Sequence, residues 1–381
     1  MFEKFNKEFW IATFTLSGTI IGAGILGLPY AFSKAGFLAG LFWLIFLGIF
    51  IIVLKLYLGE VILRTKKIHQ LPGYAKEYLG KWGMRIMVFE MVFGVYLALI
   101  AYLIGEGQSL SQLFTGGLNY SLYFAILFWF AMAFMMKEGL RGLKKVESFG
   151  VIFILFIIFG LFFYFFPSTE VTNLSYINFN SFLLPFGVVL FALLGFTSVP
   201  ELKRELKGNE KMMKKVIIFG VSIPIILYIM FSFTFVSVLG ESVPEVATLA
   251  FGKIVTLLGI FTMMTSYFVL SFALKDMLTF DFNFSKKSSF VIISIVPLIL
   301  FFTIFYFNLL GFVSLIGLAG VISSGITGIL IVFMNRKAKR KGDRKPEYSI
   351  PINMVVIIIT IAIFAAGVAS VFVPYLIGFL N

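Results

Sequence analysis

The sequence predicts an all-α polytopic membrane protein of about eleven transmembrane helices, built as two sets of five with one helix added. Three observations carry that prediction. Of 381 residues, 60% are hydrophobic and 13% charged, where an ordinary soluble domain has about a quarter charged. Apolar stretches of about 18 residues or more, each enough to cross a hydrocarbon core about 30 Å thick, recur from end to end. The Lys and Arg residues sit in every second connection between those stretches, the pattern that basic loops leave on one side of a membrane.

Taken in order, the apolar stretches place spans near 9–34, 36–63, 84–114, 121–137, 147–166, 181–206, 213–239, 251–281, 288–308, 309–335 and 351–378. The first is too long for the apolar core of a cleavable leader and lacks a small-residue cleavage site before the next span. Residues 64–85, 137–145, 203–215, 275–287 and 336–345, with Lys4 and Lys7, hold 28 of the 31 Lys and Arg. The intervening connections "FTGGLNYS", "FPSTEVTNLSYINFNS", "LGESVPEVATLA" and "FNLLG" hold none. The N-terminus is therefore expected in the cytoplasm and, with an odd number of spans, the C-terminus outside. The net charge of +13 is a topology signal helped by anionic lipid, and no nucleic-acid partner is expected. The chain has no Cys and one His. That excludes disulfides, thiolate metal sites and cysteine nucleophiles, and His69 lies alone in a polar loop.

Span 1 contains "GILGLP" and span 6 "GFTSVP". In each a glycine (Gly24, Gly195) stands five residues before a proline (Pro29, Pro200), and the prolines are 171 residues apart. The same offset carries spans 3, 4 and 5 close to spans 8, 9 and 10, and span 2 less closely to span 7. Because five is odd, the second set enters the membrane from the opposite side, so the repeats are inverted. Residues 1–170 and 171–340 are the expected repeats, and 341–381 a linker and eleventh helix. "RTKKIHQLPGYAKEYLGKWGMR" is expected to hold a short interfacial helix with Pro72 in its first turn and Tyr74, Tyr78 and Leu79 on one face. "NRKAKRKGDRKPEYS", with Gly342 and Pro346, reads as a mobile linker.

Glycines and a proline inside a span interrupt its hydrogen bonding, and in a bilayer irregular backbone survives only where it lines a cavity. Two such interruptions at matched positions bring half-helix ends together, with free N–H groups at N-termini and free carbonyls at C-termini. A zwitterionic amino acid needs that pair. Its carboxylate fits the amides around Gly22, Ala23 and Gly24, and its ammonium fits carbonyls near Ile20, Phe191 and Ala192. The alternative for any one glycine is close helix packing.

These residues carry a resemblance. "GTIIGAGILGLPYAFSKAGF" with "FGVVLFALLGFTSVPELKRELK" is similar to the amino acid/auxin permease family and to the related permeases for hydrophobic and aromatic amino acids, within the amino acid-polyamine-cation superfamily. "LYLGEVILRT", "GYAKEYLG" and "LIGLAGVISSG" extend the likeness over nearly the whole chain. The resemblance implies a LeuT-type fold of ten core helices and secondary active uptake of amino acids.

Span 8 carries Thr262, Thr265 and Ser266. A sodium ion would take the Thr265 and Ser266 hydroxyls and the carbonyls of Thr262, Gly18 and Ile21, a set matching the sodium site of sodium-coupled members of that fold. The alternative is that these hydroxyls bond their own helix. A second sodium position known in the fold calls for an amide side chain where Ile25 stands. The rival coupling ion is a proton. Ionisable residues within spans are functional candidates, here Lys55, Glu60, Glu90, Glu106 and Glu201. Lys55 would snorkel or pair with a glutamate; Glu60, Glu90 and Glu201 would pair with nearby Lys or Arg; Glu106, in "IGEGQS", is the best proton site. Phe191 and Phe196 flank the span 6 interruption around Gly195, Leu193 and Leu194. No fixed charge is expected there, so neutral apolar or aromatic amino acids follow as substrates, carried by alternating access. Asp276 and Asp281 are candidates for an inner gate or ordinary interfacial charges. No cofactor beyond the ion is expected. A channel lacks its polar stripe here and an enzyme its convergent acids, bases or metal ligands, while a signalling transceptor shares the fold and stays open.

Overall fold

The computed structural model describes residues 7–138 and 143–380. Residues 1–6, whose cytoplasmic placement the charge pattern predicts, lie outside them. The described residues are helical, without a strand: α1 (Lys7–Ile20), α2 (Leu28–Ala35), α3 (Phe37–Leu63), α4 (Leu71–Thr115), α5 (Ser121–Glu138), α6 (Leu143–Phe165), α7 (Thr172–Ser175), α8 (Leu184–Ala192), α9 (Val199–Glu205), α10 (Met213–Leu239), α11 (Lys253–Asp276), α12 (Lys286–Tyr306), α13 (Phe312–Lys341) and α14 (Met354–Leu380). By length and composition, 7 helices among the described residues can cross a membrane, or 8 when α1 and α2 count as one span bent by 48°. Among the described side chains, α5, α6 and α14 contribute apolar stretches of 10–17 residues, Ser121–Lys137, Ile154–Ser168 and Met354–Ala369. The expected number of eleven is not reached by that measure.

The helix limits follow local chemistry. Pro29 opens α2 and Pro72 opens α4, where a missing N–H costs nothing. Gly36 turns α2 into α3 at φ +93°, with the Tyr176 carbonyl 2.2 Å from where a Cβ would sit, so only glycine fits. Gly80, at φ +79°, breaks α4 into a short helix and a long one. The short piece is a helix where the sequence suggests an interfacial one. Tyr74 and Tyr78 are buried and Leu79 is half-buried, and Tyr78 shares a 2.6 Å hydrogen bond with Thr65 at the end of α3. Its shared face is spent on the protein itself.

Small residues let helices approach closely at the centre. A Cβ on Gly320 of α13 would lie 2.1 Å from the Gly187 carbonyl of α8, and one on Gly187 would lie 2.5 Å from the Gly317 carbonyl. On the other side Leu16 of α1 packs over Gly220 of α10, and the Ser17 hydroxyl donates to the Gly220 carbonyl at 3.0 Å. The interrupted spans are thus wedged between α10 and α13.

The stretch 335–349, expected as a mobile linker, begins as the last turns of α13 and continues in a pinned strap, 342–353. Its composition is loop-like, but a buried carboxylate pins it. Glu60 of α3, 0% exposed, accepts from Lys339 (2.8 Å), Arg64 (2.9 Å), Asn335 (3.2 Å), the Ser349 hydroxyl (2.8 Å) and the Ile350 N–H (3.0 Å). Tyr348 donates to the Leu56 carbonyl and Tyr57 to the Pro351 carbonyl, both at 2.8 Å. Arg344 donates to the Leu63 carbonyl at 2.9 Å. The strap ties α13 to the basic end of α3. Removing one member of a buried ion pair typically costs about 3–5 kcal/mol. Glu60→Ala is therefore expected to lower the thermal unfolding midpoint of the purified protein and to speed tryptic cleavage after Arg344; an unchanged midpoint and cleavage rate would contradict the pinning.

Candidate functional site

Both expected interruptions are present. In span 1, Ile21 N–H still reaches Ser17 at 2.8 Å, but Gly22 N–H turns back to the Ile20 carbonyl at 2.8 Å. Gly22 is extended (φ −117°, ψ −161°) and a short 3₁₀ turn, Ala23–Gly27, leads into α2. In span 6, Leu193 N–H closes on Val189 (3.0 Å) and Leu194 N–H on Phe191 (3.1 Å). Gly195 then takes φ +106°, and the turn Phe196–Ser198 leads into α9, whose opening turn holds Pro200.

The interruptions touch. A Cβ on Gly24 would lie 2.7 Å from the Ala192 Cα, and one on Gly195 would lie 3.0 Å from Ile20 Cγ1. Gly24 therefore serves close packing, the alternative weighed for a single glycine, and does so between the two breaks themselves. Gly22 faces elsewhere, with Ser266 Oγ 3.2 Å from its would-be Cβ.

The carbonyls released here are satisfied by side chains from other spans. The Tyr228 hydroxyl of α10 is shared between the carbonyls of Ile20 (2.8 Å) and Ala192 (2.9 Å), one from each break. The Lys55 ammonium of α3 donates to the carbonyls of Leu193 (2.9 Å) and Leu194 (3.1 Å). It neither snorkels nor pairs with a glutamate, so the expectation of no fixed charge at span 6 is overturned. Sequence reasoning missed Tyr228 altogether, since one tyrosine among 15 in an apolar span gives no signal. A lone lysine at mid-span did give one, because such a residue costs about 2.5–3.5 kcal/mol on insertion.

The expected cation ligands are partly assembled. Thr262 Oγ1 donates to Leu258 (2.7 Å), and Thr265 Oγ1 to Phe261 (3.0 Å) and to the Thr262 carbonyl (3.1 Å). These are bonds within their own helix, though each oxygen keeps lone pairs for a cation. Ser266 is turned toward span 1, where its Oγ accepts from Ala23 N–H at 3.3 Å. Gly18 lies on the last turn of α1 and Ile21 follows its end. Buried Tyr102 of α4 stands beside Ser266, another residue the sequence reading did not single out.

The carboxylates divide. Glu106 is 0% exposed and neither of its oxygens has a hydrogen-bond partner. Glu90 accepts from Thr327 at 2.9 Å and, contrary to expectation, not from a Lys or Arg, because it faces α13. Glu201 is half-buried and makes no ion pair among the described residues. Its neighbour Glu205 accepts instead from Thr15 at 3.0 Å, joining α9 to α1, while Lys203 donates to the Ile62 carbonyl at 3.2 Å and to that of Thr65. Asp276 is exposed and makes no ion pair among the described residues, and the side chain of Asp281 lies outside them.

Exposure is uneven along the two breaks. Ala23–Pro29 and the rings of Phe191 and Phe196 are buried, whereas Thr19 and Thr197 are exposed and Gly18, Gly22, Gly195 and Ser266 are half-buried. The α2 side is sealed by loops: Tyr176 donates to the Ser33 carbonyl, Lys34 to the Glu241 carbonyl (2.8 Å), and Glu245 accepts from Val313 N–H (3.2 Å).

The family model described as the tryptophan/tyrosine permease family matches residues 5–371. The chain belongs to that family. This permease is 23% identical over 392 residues to tyrosine-specific transport system 1 of Haemophilus influenzae, covering 96% of each chain. It is 31% identical over 131 residues to the low affinity tryptophan permease of Proteus vulgaris, covering 34% of this chain and 31% of that one. A solved structure, MhsT in complex with L-phenylalanine, superposes with a TM-score of 0.68 at 15% identity, over 96% of this chain and 97% of that one. The permease therefore has the LeuT-type fold. It is a multi-pass membrane protein of a permease family and not an enzyme.

Tyr228→Phe keeps the ring and removes the shared donor. An unsatisfied buried acceptor costs about 1–3 kcal/mol, so the variant is expected to unfold at measurably lower temperature or denaturant than the parent. Equal stability would show that the hydroxyl does not hold the breaks together.

Proposed function

We propose that this permease is a symporter that takes up neutral, hydrophobic or aromatic amino acids by alternating access, coupled to sodium. The observation that carries the reading is the contact between the two breaks, with Tyr228 spanning their carbonyls. The amino acid's carboxylate takes the amides of Gly22, Ala23 and Gly24, sharing or displacing the bonds that Gly22 N–H makes to Ile20 and Ala23 N–H makes to Ser266. Its ammonium lies on the carbonyls of Ile20, Phe191 and Ala192, and Gly195 and Phe196 complete the site. Burial of Phe191 and Phe196 beside the breaks favours an apolar or aromatic side chain. Tyrosine and tryptophan transport in the two named relatives, and phenylalanine bound to the structural neighbour, point the same way.

Sodium sits between α1 and α11 on Gly18, Ile21, Thr262, Thr265 and Ser266. Ser266 already bonds the backbone of the span 1 break, so an ion drawing on that hydroxyl fixes the break and raises amino-acid affinity. By linkage the amino acid raises sodium affinity by the same factor. With the basic loops and the N-terminus in the cytoplasm, the sealed α2 side is external and the exposed Thr19 and Thr197 look inward. The molecule is then caught facing the cytoplasm, with the Thr15–Glu205 contact joining the two half-helices that move.

Proton coupling through Glu106 is the second reading, favoured by a buried carboxyl whose two oxygens are both unpartnered. Radiolabelled tryptophan or tyrosine uptake into proteoliposomes separates the two. Uptake is expected to need inward sodium and to ignore a pH gradient. Ser266→Ala is expected to raise the half-saturating sodium concentration by about ten-fold, the loss of roughly one charge-assisted ligand. Uptake driven by a pH gradient without sodium, and abolished by Glu106→Gln, would replace sodium by the proton.

A further inference from the structure

Lys55 carries more than the satisfaction of two carbonyls. Its ammonium is fully buried and 5.2 Å from the centre of the Phe196 ring, besides its bonds to Leu193 and Leu194. Among the described residues no carboxylate lies within ion-pair distance of it. Its charge is met by the carbonyl end of α8 and by the face of one aromatic ring. Carbonyls at a break do not require a cation: those of Ile20 and Ala192 share a neutral hydroxyl. The charge needs another explanation.

We infer that Lys55 is a specificity-determining residue of the site, a tethered cation behind the Phe196 ring that bars amino acids with positively charged side chains and fixes that ring as the wall for uncharged ones. The inference rests on the binding mode proposed above. With the substrate's carboxylate on the Gly22–Gly24 amides and its ammonium on the Ile20 and Ala192 carbonyls, its side chain is left facing Phe191 and Phe196. A cationic side chain entering there meets a second buried cation with no nearby carboxylate to offset either, and like charges at such range repel strongly in a dry interior. An acidic side chain gains little, because the ammonium is already committed to two carbonyls and covered by the ring. A neutral side chain meets only the ring face. Selectivity for neutral amino acids then comes from a fixed charge, where the sequence suggested it came from the lack of one.

The test is competition against radiolabelled tryptophan uptake in proteoliposomes, comparing side chains matched in shape: citrulline against arginine and norleucine against lysine. In the wild type the uncharged member of each pair is expected to compete better by about ten-fold or more. Lys55→Met and Lys55→Gln are expected to bring that ratio close to one, while Lys55→Arg, which keeps the charge, preserves it. A neutral variant that still takes up tryptophan with the wild-type ratio overturns the inference. Where the neutral variants no longer transport, equilibrium binding to purified protein replaces uptake as the readout. There, weaker tryptophan binding at an unchanged unfolding midpoint, restored by Lys55→Arg, supports the inference. Equal loss in all three variants with a lowered midpoint reduces Lys55 to a structural part and overturns it. Tryptophan uptake by the wild type is the separate control, whose failure would strike the proposed function and not the selectivity argument.

Discussion

Peptide groups cannot be left bare in the middle of a bilayer, and this permease leaves two helices open there. The constraint is severe, because each unsatisfied group in such surroundings costs several kcal/mol. Its solution is tertiary. One tyrosine hydroxyl serves a carbonyl from each break, one lysine serves two more, and a serine on α11 accepts a freed amide of span 1. None of these partners belongs to either broken span. The breaks therefore exist only in the assembled fold, and the fold in turn is held at its centre by the breaks.

That dependence explains how the outer parts are arranged. Glycines at 187, 317 and 320 let α8 come against α13, and Gly220 lets α1 come against α10. Only at those distances can Tyr228 reach both carbonyls. At the basic end the same logic is repeated with charge: Glu60 gathers α3, α13 and the strap 342–353, while Lys203 and Glu205 fasten α9 to α3 and α1. At the basic end α1 and α9 are thus joined by a polar bond, while close packing at Gly220 seats α1 on α10 and close packing at Gly187 and Gly320 seats α8 on α13.

Much of this was legible in the sequence, and the limits of what was legible are physical. Apolar length and glycine–proline spacing located most of the long helices and both breaks, because those features act through local backbone geometry; α7 was not expected and α13 runs on to Lys341, past the expected end at 335. The short helix at Leu71 was legible for the same reason, from Pro72 and one shared face. What stayed hidden depends on which helix lies beside which. Tyr228 looks like any aromatic in a membrane span, and Glu90 points to Thr327 although a basic loop is near in sequence. The strap 342–353 has the composition of a flexible linker and is ordered by a carboxylate nearly three hundred residues away in the chain. Lys55 was visible as an anomaly, but its partners were not, and the absence of charge inferred at span 6 was wrong for that reason. The hydroxyls of α11 were found, yet whether their lone pairs serve a cation depends on a geometry that residue spacing does not report.

The central claim is that the paired breaks clasp an amino acid through backbone groups. Its most direct test is a cryo-electron microscopy structure of the full chain with tryptophan bound, in sodium. The account predicts the ligand's carboxylate at hydrogen-bond distance, about 3 Å, from the N–H groups of Gly22–Gly24, and its ammonium against the carbonyls of Ile20 and Ala192. A ligand seated elsewhere, or either span wound into an unbroken helix through Gly22 or Gly195, would contradict it.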